Sequence, residues 1–226
     1  MMENIMELQD VWKIYRMGDF DVPALAGVDL TIKPGEFVAI TGPSGCGKST
    51  MLNMIGCLDM PTRGKILLEG KNISDFTSNE LSRIRGKKIG FIFQTFNLYP
   101  TLTALENIRL PMRIHEFPEN EVEETSKKLL DMVGLSERGN HFPAQLSGGQ
   151  QQRVAVARAL STGPSILLAD EPTGNLDTRS GDEVMDVFKR LNSEGLTIVM
   201  ITHDPRIAGY SGRVVKMLDG KIVGET

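Results

Sequence analysis

The feature that most constrains this chain is a glycine-rich stretch, Thr41–Thr50, which directly follows the apolar run Phe37–Ile40. It matches the phosphate-loop pattern G-x-x-x-x-G-K-[ST] in full, with the required positions filled by Gly42, Gly47, Lys48 and Ser49. Glycines let the backbone bend around a polyphosphate and direct N–H groups at its oxygens, while the following helix contributes the positive end of its dipole. The pattern therefore predicts a buried strand, an anion-binding loop and a helix.

The residue types in this loop indicate that its ligand is a nucleoside triphosphate. Lys48 can reach the β- and γ-phosphates, and the Ser49 hydroxyl can ligate Mg²⁺. A glycine-rich turn that binds nothing would not need a lysine and a serine after its last glycine. Nucleotide contacts are predicted for the loop and the start of its helix, namely Gly42, Pro43, Ser44, Gly45, Cys46, Gly47, Lys48, Ser49 and Thr50.

Composition and charge argue against several functional classes. A chain of 226 residues can form one sizeable core, and 24% charged with 40% hydrophobic residues is ordinary for a globular protein. The net charge of −4 argues against a protein that coats nucleic acid, so no nucleic-acid partner is expected. No apolar run approaches the roughly 20 residues of a membrane span, and the N-terminus lacks the layout of a signal peptide. We therefore expect a cytoplasmic chain whose membrane work, if any, is done by a partner.

The two cysteines, Cys46 and Cys57, lie in the loop and near the far end of the predicted helix Met51–Leu58. At about 1.5 Å of rise per residue they are roughly 15 Å apart, which is beyond disulfide reach. Two free thiols are typical of a reducing compartment and agree with a cytoplasmic location.

Two residues beside predicted strands have open interpretations. Strands are predicted at Ile5–Val11, Val28–Ile32, Lys65–Glu69, Ile89–Phe93 and Leu196–Thr202. Tyr15 follows the first of these strands and is either a core aromatic or a ring that stacks on a nucleobase. Gln94 ends the strand Ile89–Phe93, at the edge where parallel sheets bind ligands, so it can touch the metal or the attacking water. A simple surface glutamine is the commoner case.

The segment from Thr95 to Gly134 has a helical pattern and is interpreted as part of an inserted lobe. Thr103 and Glu106 fit a capping box, and apolar residues recur at helical spacing in Glu119–Val133. Large apolar residues are concentrated near the start of the lobe, at Phe96, Leu98, Tyr99 and Leu102. They form either the core of the lobe or a docking groove for a partner's helix, and different members can do each.

A second glycine-rich stretch, Leu146–Gln150, precedes the predicted helix Val154–Leu160. Ser147 and Gln150 make a capping box, but a cap alone does not require two consecutive glycines. Gly148 and Gly149 expose backbone N–H groups at a helix N-terminus, which is a second anion site. Two phosphate-binding turns that are each half a site suggest that a nucleotide is held between two copies of the chain.

Acidic residues end the next buried strand, Ile166–Glu171. Asp170 can hold Mg²⁺ through water, and Glu171 can polarise the water that attacks the γ-phosphate. Paired acids can also cap a helix, but Pro172 follows and no helix begins at once. His203 directly follows the predicted strand Leu196–Thr202. It is a candidate for contacting the γ-phosphate or orienting Glu171.

Taken in chain order, these motifs resemble the ATP-binding subunit of ABC transporters. The resemblance covers essentially the whole chain and rests on Gly42–Thr50, Gln94, Leu146–Gln150, Ile166–Glu171, Asn175–Asp177 and His203. It implies an α/β fold with a phosphate-loop NTPase core and a mostly parallel sheet. An N-terminal antiparallel β part and a helical lobe inserted over 95–161 complete the single domain, 1–226.

The resemblance also implies a Mg²⁺-dependent ATPase that acts as an ATP-sandwich dimer. The phosphate loop would face a second copy's Ser147, Gly149 and Asp177. Catalytic roles would belong to Lys48, Gln94, Glu171 and His203. Metal contacts would come from Ser49, Gln94 and Asp170, and nucleotide contacts across the dimer from Ser147, Gly148, Gly149, Gln150 and Asp177. Tyr15 matches the adenine-stacking aromatic of the family.

A narrower likeness, to the lipoprotein-releasing and macrolide-export ATPases, lies in Gly56–Asp59, Gln94–Leu98, Leu102–Asn107 and Asp170–Asp177. It implies an integral membrane subunit as partner and a location on the inner face of the cell membrane. The alternative is an ABC-type ATPase that works on ribosomes or DNA. Ribosomal relatives usually carry two ATPase units, and chromosomal relatives insert a long coiled coil. Here Ser147 follows Lys48 by only 99 residues, with no sustained heptads between them.

Overall fold

The computed structural model describes residues 4–226, which form ten strands and seven α-helices. The strands are β1 (Met6–Met17), β2 (Phe20–Ile32), β3 (Phe37–Thr41), β4 (Arg63–Leu68), β5 (Lys71–Asn72), β6 (Ile89–Ile92), β7 (Ile166–Asp170), β8 (Thr197–Ile201), β9 (Arg213–Leu218) and β10 (Lys221–Glu225). The helices are α1 (Lys48–Ile55), α2 (Ser78–Lys88), α3 (Ala104–Ile114), α4 (Glu119–Met132), α5 (Gly148–Leu160), α6 (Thr178–Ser193) and α7 (Pro205–Ala208). None of these helices is long and apolar enough to cross a membrane.

The larger sheet has six strands in the order β10-β9-β3-β8-β7-β6, and all neighbours except β10 and β9 run parallel. Its central strands are apolar on both faces, which is why they read as continuous hydrophobic runs. Ile40 of β3 and Asp170 of β7 are both in register with Ile201 of β8. The carboxyl ends of these three strands therefore lie level, at the edge where the loops diverge.

The smaller sheet is antiparallel, with the order β2-β1-β4-β5. Its first two strands extend well beyond the predicted Ile5–Val11 and Val28–Ile32, because they continue as a hairpin that pairs Met17 with Phe20. A bulge near Asp10, whose φ is +47°, interrupts the alternation that the prediction used. The N-terminal antiparallel part of the fold is confirmed.

Helix α1 is the centre of the main core, between the two sheets. Met51, Met54 and Ile55 are fully buried there against strands of both sheets. The predicted helix Met51–Leu58 is wrong at both ends. The helix begins at Lys48, after Gly47 in a left-handed conformation, and ends at Ile55, because Cys57 has a φ of +53°.

The lobe is built from α3, α4 and the first turns of α5 around a separate small core, whose buried members include Ile108, Leu130 and Val154. Both capping boxes predicted from the sequence, at Thr103 and at Ser147, are present. Helix α5 begins six residues before the predicted Val154, since the capped glycines already form its first turn. The helical lobe is confirmed, and the limits 95–161 stay a prediction.

Candidate active site

The loop between β3 and α1 is shaped by three glycines with positive φ, two of which lie tightly against neighbouring backbone. Gly42, Gly45 and Gly47 have φ values of +151°, +79° and +100°. A Cβ on Gly42 would lie 2.3 Å from the carbonyl oxygen of Met217, and one on Gly47 would lie 2.3 Å from that of Ala24. The backbone therefore curves tightly against two neighbouring segments, as the pattern requires.

Lys48 is held inside this loop. Its side chain is 8% exposed, and Nζ donates hydrogen bonds to the carbonyl oxygens of Gly42 at 2.9 Å and Pro43 at 2.8 Å. Cys46 is also buried, with Sγ 3.9 Å from the same Nζ. A ligand on the solvent side can therefore meet the backbone of Cys46 but not its thiol.

The two predicted metal ligands from different elements are brought together. The Ser49 hydroxyl, in the first turn of α1, donates to Asp170 Oδ2 at the end of β7 over 3.2 Å. Burial raises the pKa of Asp170, and the bond from Ser49 opposes that rise. A hydroxyl and a carboxylate oxygen are both hard ligands of the kind that Mg²⁺ prefers. No group of three or more His, Cys, Asp or Glu side chains placed to hold a metal occurs within residues 4–226.

Glu171 and His203 form the second pair at this edge. His203 Nδ1 lies 3.0 Å from Glu171 Oε1, so the imidazole can orient the carboxylate. Glu171 itself has a φ of +46°, an uncommon conformation for a residue with a side chain. Its N–H bonds the carbonyl of Ile201, the last residue of β8, at 3.0 Å. The strained residue is thus anchored to the neighbouring strand.

Gln94 lies next to the turn that follows Glu171. Asn175 Nδ2 donates to the Gln94 carbonyl at 2.9 Å, and a Cβ on Gly174 would come within 3.0 Å of Gln94 Nε2. Gln94 is exposed, and no hydrogen bond to Ser49 or Asp170 is found in the described part of the chain. Its predicted role at the metal stays a prediction.

The second glycine-rich stretch forms the N-terminus of α5. Ser147 Oγ accepts the Gln150 N–H at 3.3 Å, and Gln150 Oε1 accepts the Ser147 N–H at 3.0 Å. Gly149 packs against α6, where an added Cβ would lie 2.7 Å from Ser180 Cβ. Ser180 in turn bonds Asp177, with Oγ 2.7 Å from Oδ2. The stretch and Asp177 therefore belong to one packed unit.

Asp177 caps α6, since its Oδ1 accepts the Ser180 N–H at 3.0 Å. The hydroxyl of Ser180, followed by its N–H, lowers the pKa of Asp177. A polar cavity of about 220 Å³ lies between this cap and the Glu171–His203 pair, with Arg206 in its wall. Asp177 and Glu171 of one chain thus share a cavity.

Tyr15 lies near the end of β1, with its ring 39% exposed. Its hydroxyl donates to Asp59 Oδ2 at 3.0 Å, and Lys13 Nζ is 5.1 Å from the ring centroid. Burial and the Asp59 carboxylate raise the pKa of Tyr15, while the hydroxyl of Thr50 opposes them. The ring is therefore held beside the first turn of α1, close to the phosphate loop.

Asp59 was not singled out as a site residue by sequence reasoning, although it fixes Tyr15. It also pairs with Lys13 Nζ at 2.6 Å. Burial acts to raise the pKa of Asp59, but bonds from Lys13, the Met60 N–H and Tyr15 outweigh it and lower the pKa below its usual range. The sequence shows only an acidic residue after Leu58. Its importance comes from its ion pair with Lys13, which is 46 positions away in the chain.

The apolar segment Phe96–Leu102 is fixed by two side chains that the sequence did not reveal. Asn107 is fully buried and bonds Tyr99 through both N–H and carbonyl, at 2.8 and 3.2 Å. Arg158 donates to the carbonyls of Phe96 at 3.1 Å and Asn97 at 2.5 Å. Leu98 packs on the lobe core, as the core interpretation predicts, whereas Tyr99 is 52% exposed, and the docking groove stays a prediction.

These loops and strand ends have counterparts in known proteins. A profile of the family described as ABC transporter matches residues 25–174, which is more than half of the chain. The chain belongs to the ABC transporter family. The family resemblance inferred from the motifs is confirmed, and so is the α/β fold.

Two relatives show where in the ABC transporter family the chain lies. It is 51% identical over 223 residues to an uncharacterized ABC transporter ATP-binding protein of Thermotoga maritima, and the match covers 99% of this chain and 95% of that protein. It is 47% identical over 226 residues to the macrolide export ATP-binding/permease protein MacB of Syntrophobacter fumaroxidans. That match covers 99% of this chain but 32% of MacB, so the chain spans about a third of that relative.

A solved structure has the same fold. It is a dimeric structure of an ATP-binding cassette of Methanocaldococcus jannaschii, in a post-hydrolysis state bound to ADP and Pi. It matches with a TM-score of 0.90 and 47% identity, over 98% of this ABC transporter chain and 97% of the other.

Proposed function

We propose that the chain is a Mg²⁺-dependent ATPase that acts as a homodimer, with two ATP molecules held between the copies, and that powers a separate membrane subunit. The observation that supports this most is the meeting of two pairs, Ser49–Asp170 and Glu171–His203, at the level strand ends beside Lys48. Metal ligands and a positioned base next to a phosphate loop are the parts that ATP hydrolysis needs.

The residues divide the work as follows. The Lys48 ammonium, now bonded to loop carbonyls, exchanges these for the β- and γ-phosphates of ATP. Glu171 accepts the proton of the attacking water, and His203 holds the carboxylate in place for that transfer. Tyr15 stacks on adenine. The Gln94 carbonyl accepts a hydrogen bond from Asn175, in the turn after Glu171. From this position Gln94 can contact the water or the metal.

Ser49 and Asp170 fit a magnesium ion, because both present oxygen atoms and already lie 3.2 Å apart. Magnesium in nucleotide sites is usually held by one or two carboxylates together with substrate phosphates. Bound Mg²⁺ supplies positive charge that offsets the charge of the phosphates.

The second half of each nucleotide site comes from a second copy. The N-termini of α5 and α6 carry Ser147, Gly149 and Asp177 as one packed unit, and helix N-termini attract phosphate oxygens. The dimeric state of the Methanocaldococcus cassette, bound to ADP and Pi, supports this arrangement.

A membrane subunit is the proposed partner, which puts the chain on the inner face of the cell membrane. The ATP-binding/permease name of MacB supports this, since this chain corresponds to a third of that protein. Two exposed aromatic residues lie in the segment around Gln94, Phe93 with 39% and Tyr99 with 52% of its surface exposed. They offer a docking surface for a cytoplasmic helix of the partner, next to a residue of the active site.

Steady-state hydrolysis of ATP by the purified chain tests the proposal, with Lys48→Ala as the variant and Lys33→Ala as the matched control. Lys33 is exposed and makes no ion pair among the described residues. Lys48→Ala should lose nearly all activity, a fall of about 1,000-fold or more, while Lys33→Ala keeps it. Chelation of Mg²⁺ should abolish the activity of wild type and of Lys33→Ala. Equal rates for Lys48→Ala and wild type would refute the site.

A further inference from the structure

Gln152 is a fully buried polar residue that the mechanism above does not use. It lies on α5, two positions after Gln150, and is 0% exposed. Its Nε2 donates to the carbonyl oxygen of Pro172 at 2.7 Å, and its Oε1 has no hydrogen-bond partner within residues 4–226. A buried amide with an unpaired oxygen destabilises the fold relative to an apolar side chain of the same size. Packing alone does not explain a glutamine at this position.

The partner of Gln152 lies next to Glu171. The Glu171 backbone is held by Ile201 through its N–H and by Gly174 through its carbonyl, both at 3.0 Å. The next residue, Pro172, has no N–H, so its carbonyl is the only backbone group through which a hydrogen bond can hold it. Gln152 supplies that bond, and it comes from a different element.

That element is helix α5. Its first turn carries Ser147 and Gly149, and Gly149 packs directly on Ser180 of α6. Arg153, the residue after Gln152, pairs with Glu183 of α6. Helix α5 therefore contacts α6 through Gly149 and Arg153, and it contacts the turn after Glu171 through Gln152.

We propose that Gln152 is a positioning residue, which fixes the turn after Glu171 from the helix that contacts the second copy's nucleotide. This rests on the proposed function. Strained backbone conformations persist where the surroundings over-determine them, and the Gln152 bond is one of three that hold Glu171 at its positive φ. Binding of the second copy's ATP at the start of α5 can then change the position of Glu171 in the same chain, through the bond from Gln152 to Pro172.

The test compares Gln152→Met with Gln151→Met, a matched control on the same helix. Gln151 Nε2 also donates to a backbone carbonyl, that of Leu146, at 3.1 Å. Gln152→Met should lower kcat for ATP about tenfold or more, with KM within about twofold of wild type. Its melting temperature should stay near that of wild type, because the unpaired Oε1 is removed as well. Gln151→Met should keep kcat within about twofold of wild type.

A second variant, Gln152→Glu, gives a readout that a merely structural role would not move. An ionised carboxylate cannot donate to the Pro172 carbonyl, whereas a protonated one can. Its kcat relative to wild type should therefore rise as the pH is lowered, while the ratio for Gln152→Met stays flat.

Wild-type kcat in Gln152→Met would overturn the inference. So would a loss of activity that follows a loss of ATP binding or folding, with a flat pH ratio for Gln152→Glu. Failure of the proposed function is a different result, in which wild type hydrolyses no ATP or Lys48→Ala is as active as wild type.

Discussion

The phosphate-loop region and the signature region, which are the two anion sites that the motifs predict, are built in different ways. In the phosphate-loop region, defined as Gly42–Thr50 with Asp170, Glu171 and His203, side chains from α1 and from the ends of β7 and β8 form two bonded pairs. In the signature region, defined as Ser147–Gln150 with Asp177, each polar side chain caps its own helix. The phosphate-loop region contains acidic, basic and cationic side chains, whereas the signature region consists of two helix N-termini whose caps are already formed.

The difference shows in what each region leaves available. The N–H groups of Gly148 and Gly149, in the first turn of α5, find no acceptor in the described part of the chain. Such groups suit a phosphate but supply no acid, base or cation. Under the proposed function, the signature region binds phosphates that are held by the phosphate-loop region of a second copy.

Among the tests of this comparison, the largest effect should come from the Glu171–His203 pair of the phosphate-loop region. His203→Ala leaves Glu171 Oε1 without the imidazole 3.0 Å away, so the carboxylate loses its orientation. We expect kcat to fall about 100-fold or more with ATP binding retained. Single-turnover hydrolysis measures the chemical step, and equilibrium binding of labelled ATP measures affinity.

The control for this prediction is His141→Ala, since His141 lies in the lobe beside Arg138. It should hydrolyse ATP at the wild-type rate. An unchanged rate in His203→Ala would show that the contact with Glu171 has no role in hydrolysis.

A smaller effect is expected at Tyr15, which lies at the edge of the phosphate-loop region. Stacking of a base on an aromatic ring is worth about 1–3 kcal/mol, so Tyr15→Ala should weaken ATP binding about tenfold. Tyr15→Phe keeps the ring and removes the hydroxyl with its bond to Asp59, and it should bind nearly as well as wild type. Calorimetric titration with ATP separates the two variants, and equal weakening in both would exclude stacking.

The smallest effect concerns the rigidity of the signature region and is a difference in stability. An added Cβ lies 2.7 Å from Ser180 in Gly149→Ala but no closer than 3.5 Å to any neighbour in Gly148→Ala. Overpacking costs about 1–3 kcal/mol, whereas alanine in an open helical position gains about 0.5–1 kcal/mol over glycine. Gly149→Ala should therefore unfold at lower urea concentration than wild type, and Gly148→Ala at higher. Equal midpoints would show that α5 is not packed against α6 as described.

Much of the fold could be predicted because the central strands are buried on both faces. A continuous apolar run such as Phe37–Ile40 predicts a buried strand even though it has no alternation of polar and apolar residues. Helix α2 was missed for the opposite reason, since Leu81 is its one buried residue and most of its surface is polar. Its capping box, Thr77 with Glu80, was the available signal. Strands β9 and β10 were also missed, because short alternating strands after a turn resemble loops.

The identities of the candidate site residues could be predicted from motifs, but their partners could not. Ser49 and Asp170 are 121 positions apart, and only the register of β3, β8 and β7 brings them together. The clamps formed by Asn107 and Arg158 and the bond from Gln152 join side chains to backbone carbonyls. Such contacts have no sequence pattern, since any carbonyl can accept.

The most direct test of the central claim is whether ATP joins two chains through these two regions. The measurement is light scattering after size exclusion, with and without saturating ATP, on Glu171→Gln, which keeps the shape of Glu171 but cannot act as a base. We expect a dimer with ATP and a monomer with ADP. Adding Ser147→Arg should abolish the dimer, because its side chain would occupy the place of the second copy's phosphates.

Because Ser147 also caps α5, the control adds Thr103→Arg instead, which removes the matching capping box of α3 in the same lobe. Loss of either cap costs about 1 kcal/mol, so the two substitutions should destabilise the fold alike. We expect an ATP-dependent dimer with Thr103→Arg and none with Ser147→Arg. A Glu171→Gln chain that binds ATP and remains monomeric at high concentration would contradict it.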